Sequence, residues 1–173
     1  IIGYDIDGAN ANYGYDISND IIPSNDGGYI ITGQYHAQHP DILVVKIDDQ
    51  GIIQNKHIIS TAPSSERVVE SGKSILSIDN GYIILASLSQ SSANGPSDIW
   101  LSEYIESTLN ESDTTWTQIW DINTFDIPQI LIKKANSSYA ISGYSLNSGG
   151  EIESSWIINS DISGNELSTI IIS

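Results

Sequence analysis

The stretch NDGGYIITGQYHAQHPDILVVKIDDQG, residues 25–51, spells a turn, a strand, a loop, a second strand and a second turn. It recurs. GGYIITGQY (27–35) returns as NGYIILASL (80–88) and SSYAISGYS (137–145), which places Tyr29, Tyr82 and Tyr139 at intervals of 53 and 57 residues. Behind each copy comes a polar loop and a second apolar run, DILVVKIDDQG (41–51), DIWLSEYIES (98–107) and SSWIINSDISG (154–164). Ahead of each lies a further short run, DIIPSNDG, SILSIDN or QILIKKAN, and a fourth run opens each unit: IIGYD at 1–5, KHIIS at 56–60 and TQIWD at 117–121. A repeat of this length constrains the fold more than any single motif, because one unit cannot bury its apolar face alone and must lay it on a neighbour.

The apolar runs are three to six residues long, rich in Ile and bounded by Gly, Asn, Asp, Ser and Pro, which is the pattern of strands. No window holds a 3.6-residue apolar period over ten residues; RVVESGKSIL (67–76) comes nearest and is interrupted by Gly72. The expected fold is all-β: three four-stranded antiparallel propeller-like repeats of about 57 residues each plus a terminal strand. The chain is then one repeat domain over 1–173, with units 1–57, 58–116 and 117–165 and an extra strand 166–173. Aligning Gly164 on Gly51 lays IIS (171–173) on IIS (58–60) and on IIG (1–3), so the extra strand copies the opening one. With no Met at position 1, a processed chain or a piece of a longer one is expected.

DGGYI-x-x-G followed by D-x-x-x-x-K-x-D-x-x-G resembles the propeller-like repeats of secreted and cell-surface bacterial or archaeal proteins. Asp26, Gly27, Gly28, Tyr29, Gly33, Asp41, Lys46, Asp48 and Gly51 carry the pattern in the first unit. The second keeps Gly81, Tyr82 and Asp98 but has Glu103 in place of the Lys; the third keeps Tyr139, Gly143, Asp161 and Gly164. The resemblance implies a fold and an extracellular or cell-surface location, and no activity. The residues themselves have structural work to do: Asp-Gly-Gly and D-x-x-G form turns, and the Tyr presents a large face between sheets. Three such units fall short of the four to eight blades that usually close a propeller. The remedies are further repeats in a longer chain, two chains forming a six-bladed ring, or head-to-tail association in which ELSTIIIS (166–173) completes a neighbour's first sheet by strand pairing. Closure of the first sheet by that strand within one chain is the simpler alternative.

Charge narrows the partners. The formal net charge is −16, from 22 acids against 6 bases, and the bases Lys46, Lys56, Arg67, Lys73, Lys133 and Lys134 are scattered. Nucleic acid and anionic membrane surfaces need clustered cations, so neither is expected as a partner. There is no Cys, hence no disulfide and no thiolate metal site, and no apolar run approaches the roughly 18–20 residues of a membrane span.

Chemistry-bearing motifs are few. DIDGANANYGYD (5–16) offers Asp5, Asp7, Asn10, Asn12 and Asp16 in a Gly-containing loop, the oxygen-rich pattern that suits calcium, although it departs from the EF-hand and reads equally as a turn-rich loop. Calcium is the one cofactor entertained. His36 and His39 share a loop but lack a third ligand nearby. No G-x-S-x-G elbow, P-loop or G-x-G-x-x-G occurs, and nothing singles out a catalytic pair among the carboxylates, so the chain is expected to be non-enzymatic. Trp100 and Trp156 share a repeat position with Leu43, which predicts core packing; Trp116 is the one Trp expected at the surface. Asn110 (NES) and Asn136 (NSS) are glycosylation sequons. The function expected on these grounds is an extracellular structural or assembly module that self-associates through strand pairing, as an oligomer, a polymer or part of a surface protein or filament. The alternative is a propeller-type lectin or adhesin that binds a carbohydrate or a protein.

Overall fold

The computed structural model describes residues 16–36, 40–61, 68–79, 81–90, 97–105, 114–135 and 138–173. Twelve strands run through these residues: β1 (Ile17–Pro23), β2 (Tyr29–Tyr35), β3 (Asp41–Ile47), β4 (Ile53–Ile59), β5 (Val68–Ile78), β6 (Gly81–Gln90), β7 (Ser97–Ile105), β8 (Thr114–Trp120), β9 (Phe125–Lys133), β10 (Tyr139–Leu146), β11 (Ile152–Ser160) and β12 (Glu166–Ile172). The protein is all-β, and no helix occurs among the described residues. RVVESGKSIL, the one run with a helical look, lies mainly in β5. Its β-branched residues and its pairing along the whole of β6 outweigh local helix propensity.

The strands form one four-stranded antiparallel sheet, β1-β2-β3-β4, and one larger mixed sheet. Within the larger sheet, β5–β8 and β9–β12 each pair in antiparallel succession, and a single parallel pair, Ser97↔Phe125, joins the two runs. This differs from three separate sheets plus a spare strand. The strands expected to open the second and third units instead end the preceding run: β4 pairs with β3 and β8 with β7. Likewise 166–173 is not surplus, because β12 pairs with β11 from Ser160↔Glu166 to Ser155↔Ile172. The reason is local. A tight turn at Asp48–Gly51 leads straight from β3 into β4, and one at Asp161–Gly164 leads from β11 into β12, so each strand folds back on its predecessor.

Those turns share one geometry. Asp48 Oδ1 accepts the N–H groups of Gln50 and Ile52 at 3.0 and 2.8 Å, and Asp161 Oδ1 accepts those of Ser163 and Asn165, both at 2.9 Å. The fourth residues, Gly51 and Gly164, have φ of 83° and 78°, a conformation that L side chains rarely adopt. Asn147 builds the same turn between β10 and β11.

Two apolar clusters bind the layers. Ile30, Ile42, Val44 and Ile59 of the first sheet meet Tyr82, Ile84, Trp100 and Tyr104 of β6 and β7. On the opposite face of the same strands, Ile83, Leu85, Ile99 and Leu101 meet Leu131, Tyr139, Ile141, Trp156 and Ile158. The β5–β8 run is therefore apolar on both faces, which is why YIILASL reads as a continuous hydrophobic run rather than an alternating one. Tyr82 and Tyr104 stack in the first cluster, 5.7 Å apart at an interplanar angle of 11°.

Each run begins with a bulged strand. The register shifts at Ser18/Asp20 in β1, at Gly72/Ser74 in β5 and opposite Ser142/Gly143 in β9, so Asn19, Lys73 and Gln129 are the extra residues at equivalent positions.

Candidate functional site

Most of the sequence candidates fall outside the described residues: Asp5, Asp7, Asn10 and Asn12 of the calcium loop, the sequons Asn110 and Asn136, and His39. Asp16, the last residue of that loop, accepts the backbone N–H of His36 at 2.9 Å. Among the described residues no group of three or more His, Cys, Asp or Glu is placed to hold a metal ion. No helix there is long and apolar enough to cross a membrane.

The tryptophans sort as follows. Trp100 and Trp156 are 3 % and 1 % exposed, as their shared repeat position predicts. Trp116 is half-buried. It packs against the second cluster, donates its Nε1–H to Glu103 at 2.8 Å, and lays its ring beside Gly164. The sequence signal for this was the Glu that replaces the motif Lys at position 103, which provides an acceptor across the β7–β8 pair.

Polar contacts cross from the first sheet to β5. Asp20 Oδ2 accepts from Ser74 Oγ and from the Ile75 N–H, both at 2.9 Å. Asn19 Nδ2 donates to the Gly72 carbonyl at 2.6 Å. Glu70, buried in β5, accepts from the backbone N–H and hydroxyl of Thr61, just beyond β4. Its burial pushes the Glu70 carboxyl pKa up, against the lowering effect of the Thr61 bonds.

The surface that stands out is the outward face of β9–β12. Direct cross-strand partners share a face, so the pairings define a row on each of the three runs. The first is Asp20–Thr32–Val44–His57, the second Ser74–Leu85–Leu101–Gln118, the third Ile130–Ser142–Ile157–Ile170. In the first two rows the central pairs Thr32 with Val44 and Leu85 with Leu101 are buried beneath the next run. The third row has nothing on it among the described residues. Its flanks are Ile where the others have polar or charged residues, and Ile130, Ile132, Ile170 and Ile172 are 51–58 % exposed. What covers the first two rows is in each case a Tyr–Ile–Trp face, Tyr82, Ile84 and Trp100 or Tyr139, Ile141 and Trp156. The first sheet carries the counterparts Tyr29, Ile31 and Leu43 on its face away from β5–β7; Leu43 and Val45 at its centre are 2 % and 3 % exposed and so are covered, while Ile21, Tyr29 and Ile53 towards one end are 53 %, 42 % and 46 % exposed.

No protein-family model matches the chain, and no curated protein sequence matches it.

Proposed function

We propose that the protein is a non-enzymatic structural module of a cell surface or extracellular assembly, built from three four-stranded propeller-like units and joined to further copies of itself. The observation that carries this is the exposed row Ile130–Ser142–Ile157–Ile170, equivalent strand for strand to rows buried twice within the chain. Its occupant is a second copy presenting the exposed end of the first-sheet face, Ile21, Tyr29 and Ile53, because faces of that type cover the equivalent rows internally. Such a contact joins two different surfaces, so it repeats: it closes into a ring if the rotation allows and otherwise extends as a filament. β12 lies at its sheet edge and offers strand pairing as a second contact. An acidic surface of net charge −16 suits an extracellular setting and keeps the remaining faces apart.

Sedimentation of the full chain tests the proposal. Wild type is expected as a species larger than 18.8 kDa. Ile170→Glu spoils one face and Tyr29→Glu the other, so each variant alone is expected to be monomeric. Mixed, they retain one intact pair of faces and form a dimer. A wild-type chain that stays monomeric at all concentrations, or a mixture that does not dimerise, overturns it.

A further inference from the structure

A cavity of about 440 Å³ opens where the first sheet, β5–β7 and β9–β10 converge, and the bulge residue Lys73 stands in its wall. Its neighbours there are hydroxyls and an amide (Ser71, Ser87, Ser97 and Asn147) with Phe125 as an aromatic wall. The volume lies within the roughly 300–1,000 Å³ of small-molecule sites.

Lys73 differs from the other described lysines of intermediate exposure. Lys46 pairs with Asp26 at 2.7 Å, Lys134 donates to Asn159 at 3.0 Å, and Lys56 sits 4.9 Å over the Tyr35 ring. Lys73 has no hydrogen-bond or ion-pair partner among the described residues, and burial alone moves its pKa, downward. The repeat makes this informative. At the equivalent bulge, Asn19 reaches across to β5 and hydrogen-bonds Ser71 and Gly72. Lys73 meets instead the cavity that separates it from Ile127 and the Asn147–Gly150 turn. An ammonium desolvated without a counter-charge is unfavourable, and in a chain of net charge −16 its retention in a hydroxyl-lined cavity points to an anionic partner from outside.

We infer that this cavity binds a carboxylated sugar, its carboxylate on Lys73 and its hydroxyls on the serines and Asn147. The donor chemistry matches. Ser71 Oγ accepts from Asn19, which leaves its proton to donate; Ser97 Oγ donates to the Asp126 carbonyl, which leaves its lone pairs to accept. The Asn147 side-chain carbonyl accepts from the Gly149 and Glu151 N–H groups and its Nδ2 donates to Glu151 Oε2 at 3.3 Å, so the amide orientation is set before a ligand arrives and one Nδ2 proton remains to donate. Phe125 supplies the apolar surface that a sugar ring packs on. A carboxylate alone would leave most of the cavity unfilled, and a neutral sugar would leave the ammonium unpaired. The inference concerns a site separate from the assembly faces, and it stands whether or not the chain self-associates.

The test is an NMR titration of the full chain with sodium glucuronate, with glucose and sodium acetate as controls at constant ionic strength. Expected are saturable shifts confined to the resonances of Lys73, Ser87 and the 147–150 turn, with affinity for glucose lower by about tenfold or more, the loss of one charged hydrogen bond, and affinity for acetate lower by about tenfold or more, the loss of several hydroxyl hydrogen bonds. Lys73→Gln is expected to weaken glucuronate by a similar factor and Lys73→Arg to retain it. Absence of saturable shifts, equal binding of glucose or acetate, shifts mapping elsewhere, or undiminished binding by a folded Lys73→Gln each overturn the inference. Should Lys73→Gln not fold, the wild-type contrast between glucuronate and glucose decides.

Discussion

Trp156 packs its indole against Gly143, its direct cross-strand partner: a Cβ built on Gly143 would stand 2.5 Å from the Cη2 and Cζ2 atoms of the indole and 2.4 Å from the Ile127 carbonyl oxygen. The same pairing recurs as Ala86↔Trp100 and Gly33↔Leu43, always a small residue opposite a large one. The two motif strands thus meet across β2–β3, β6–β7 and β10–β11, and at Gly143 the large side chain fills the space that the small partner vacates, whereas at Gly33 the backbone of Ile17 does so.

Gly143→Ala is therefore expected to destabilise the protein by about 1–3 kcal/mol through overpacking. In a Trp156→Leu background, itself destabilised by the lost core volume, Gly143→Ala should cost less, and the cost that remains reports the contact with the Ile127 carbonyl. Thermal or urea unfolding of the two single variants and the double variant measures the coupling directly.

Gly164 and Gly51 separate two causes of glycine dependence. Both have positive φ, but space is open around Gly51, whereas a Cβ on Gly164 would meet the Trp116 ring at 2.4 Å. Gly51→Ala should cost about 1 kcal/mol, the strain of the left-handed backbone alone. Gly164→Ala should cost more, and the excess should shrink in a Trp116→Ala background.

Asp126 is fully buried and accepts three bonds, from Ser145 Oγ at 2.6 Å and from the Ile122 and Asn123 N–H groups at 2.7 and 3.1 Å. It holds the turn from β8 into β9 against β10. Asp126→Ala leaves those donors unpaired and is expected to lower stability by about 2–4 kcal/mol in urea unfolding, with Asp126→Asn costing less.

Two carboxyls are set to respond to acid in opposite directions. The Lys46 ammonium beside Asp26, helped by Ser24, holds the Asp26 pKa down to about 2. Its contribution is present above the unfolded value near 3.8 and is lost as pH falls from there through about 2. Glu70 is shifted upward, chiefly by burial, so the stability linked to its protonated form is complete below 4.5 and is lost as pH rises through its folded value. Carboxyl-resolved NMR titration should show Asp26 protonating well below Glu70. Lys46→Met should bring Asp26 back toward its ordinary value, and Glu70→Gln should flatten the pH dependence of the melting temperature above 4.5.

Strand positions, turn chemistry and the inward placement of Trp100 and Trp156 were all legible in the sequence, because each depends on a short window. A β-branched run between turn residues becomes a strand, an Asp three residues before a Gly becomes a turn, and a repeated large residue opposite a small one packs inward. The turns also held the clue to the register of the repeat: a tight turn at Asp48–Gly51 obliges KHIIS to fold back on β3, so it ends the first unit rather than opening the second. Only the tertiary structure decided the bulges at Asn19, Lys73 and Gln129, the packing of half-buried Trp116 against Gly164, and the Ser97↔Phe125 pair that merges two runs into one mixed sheet. Those features depend on where one run lies against the next, a long-range relation in which a single slipped residue changes the face and the partner. The isoleucine row and the cavity at Lys73 belong to that second kind: their residues are ordinary in the sequence, and become distinctive only when three stacked runs leave, among the described residues, one face uncovered and one ammonium without a partner.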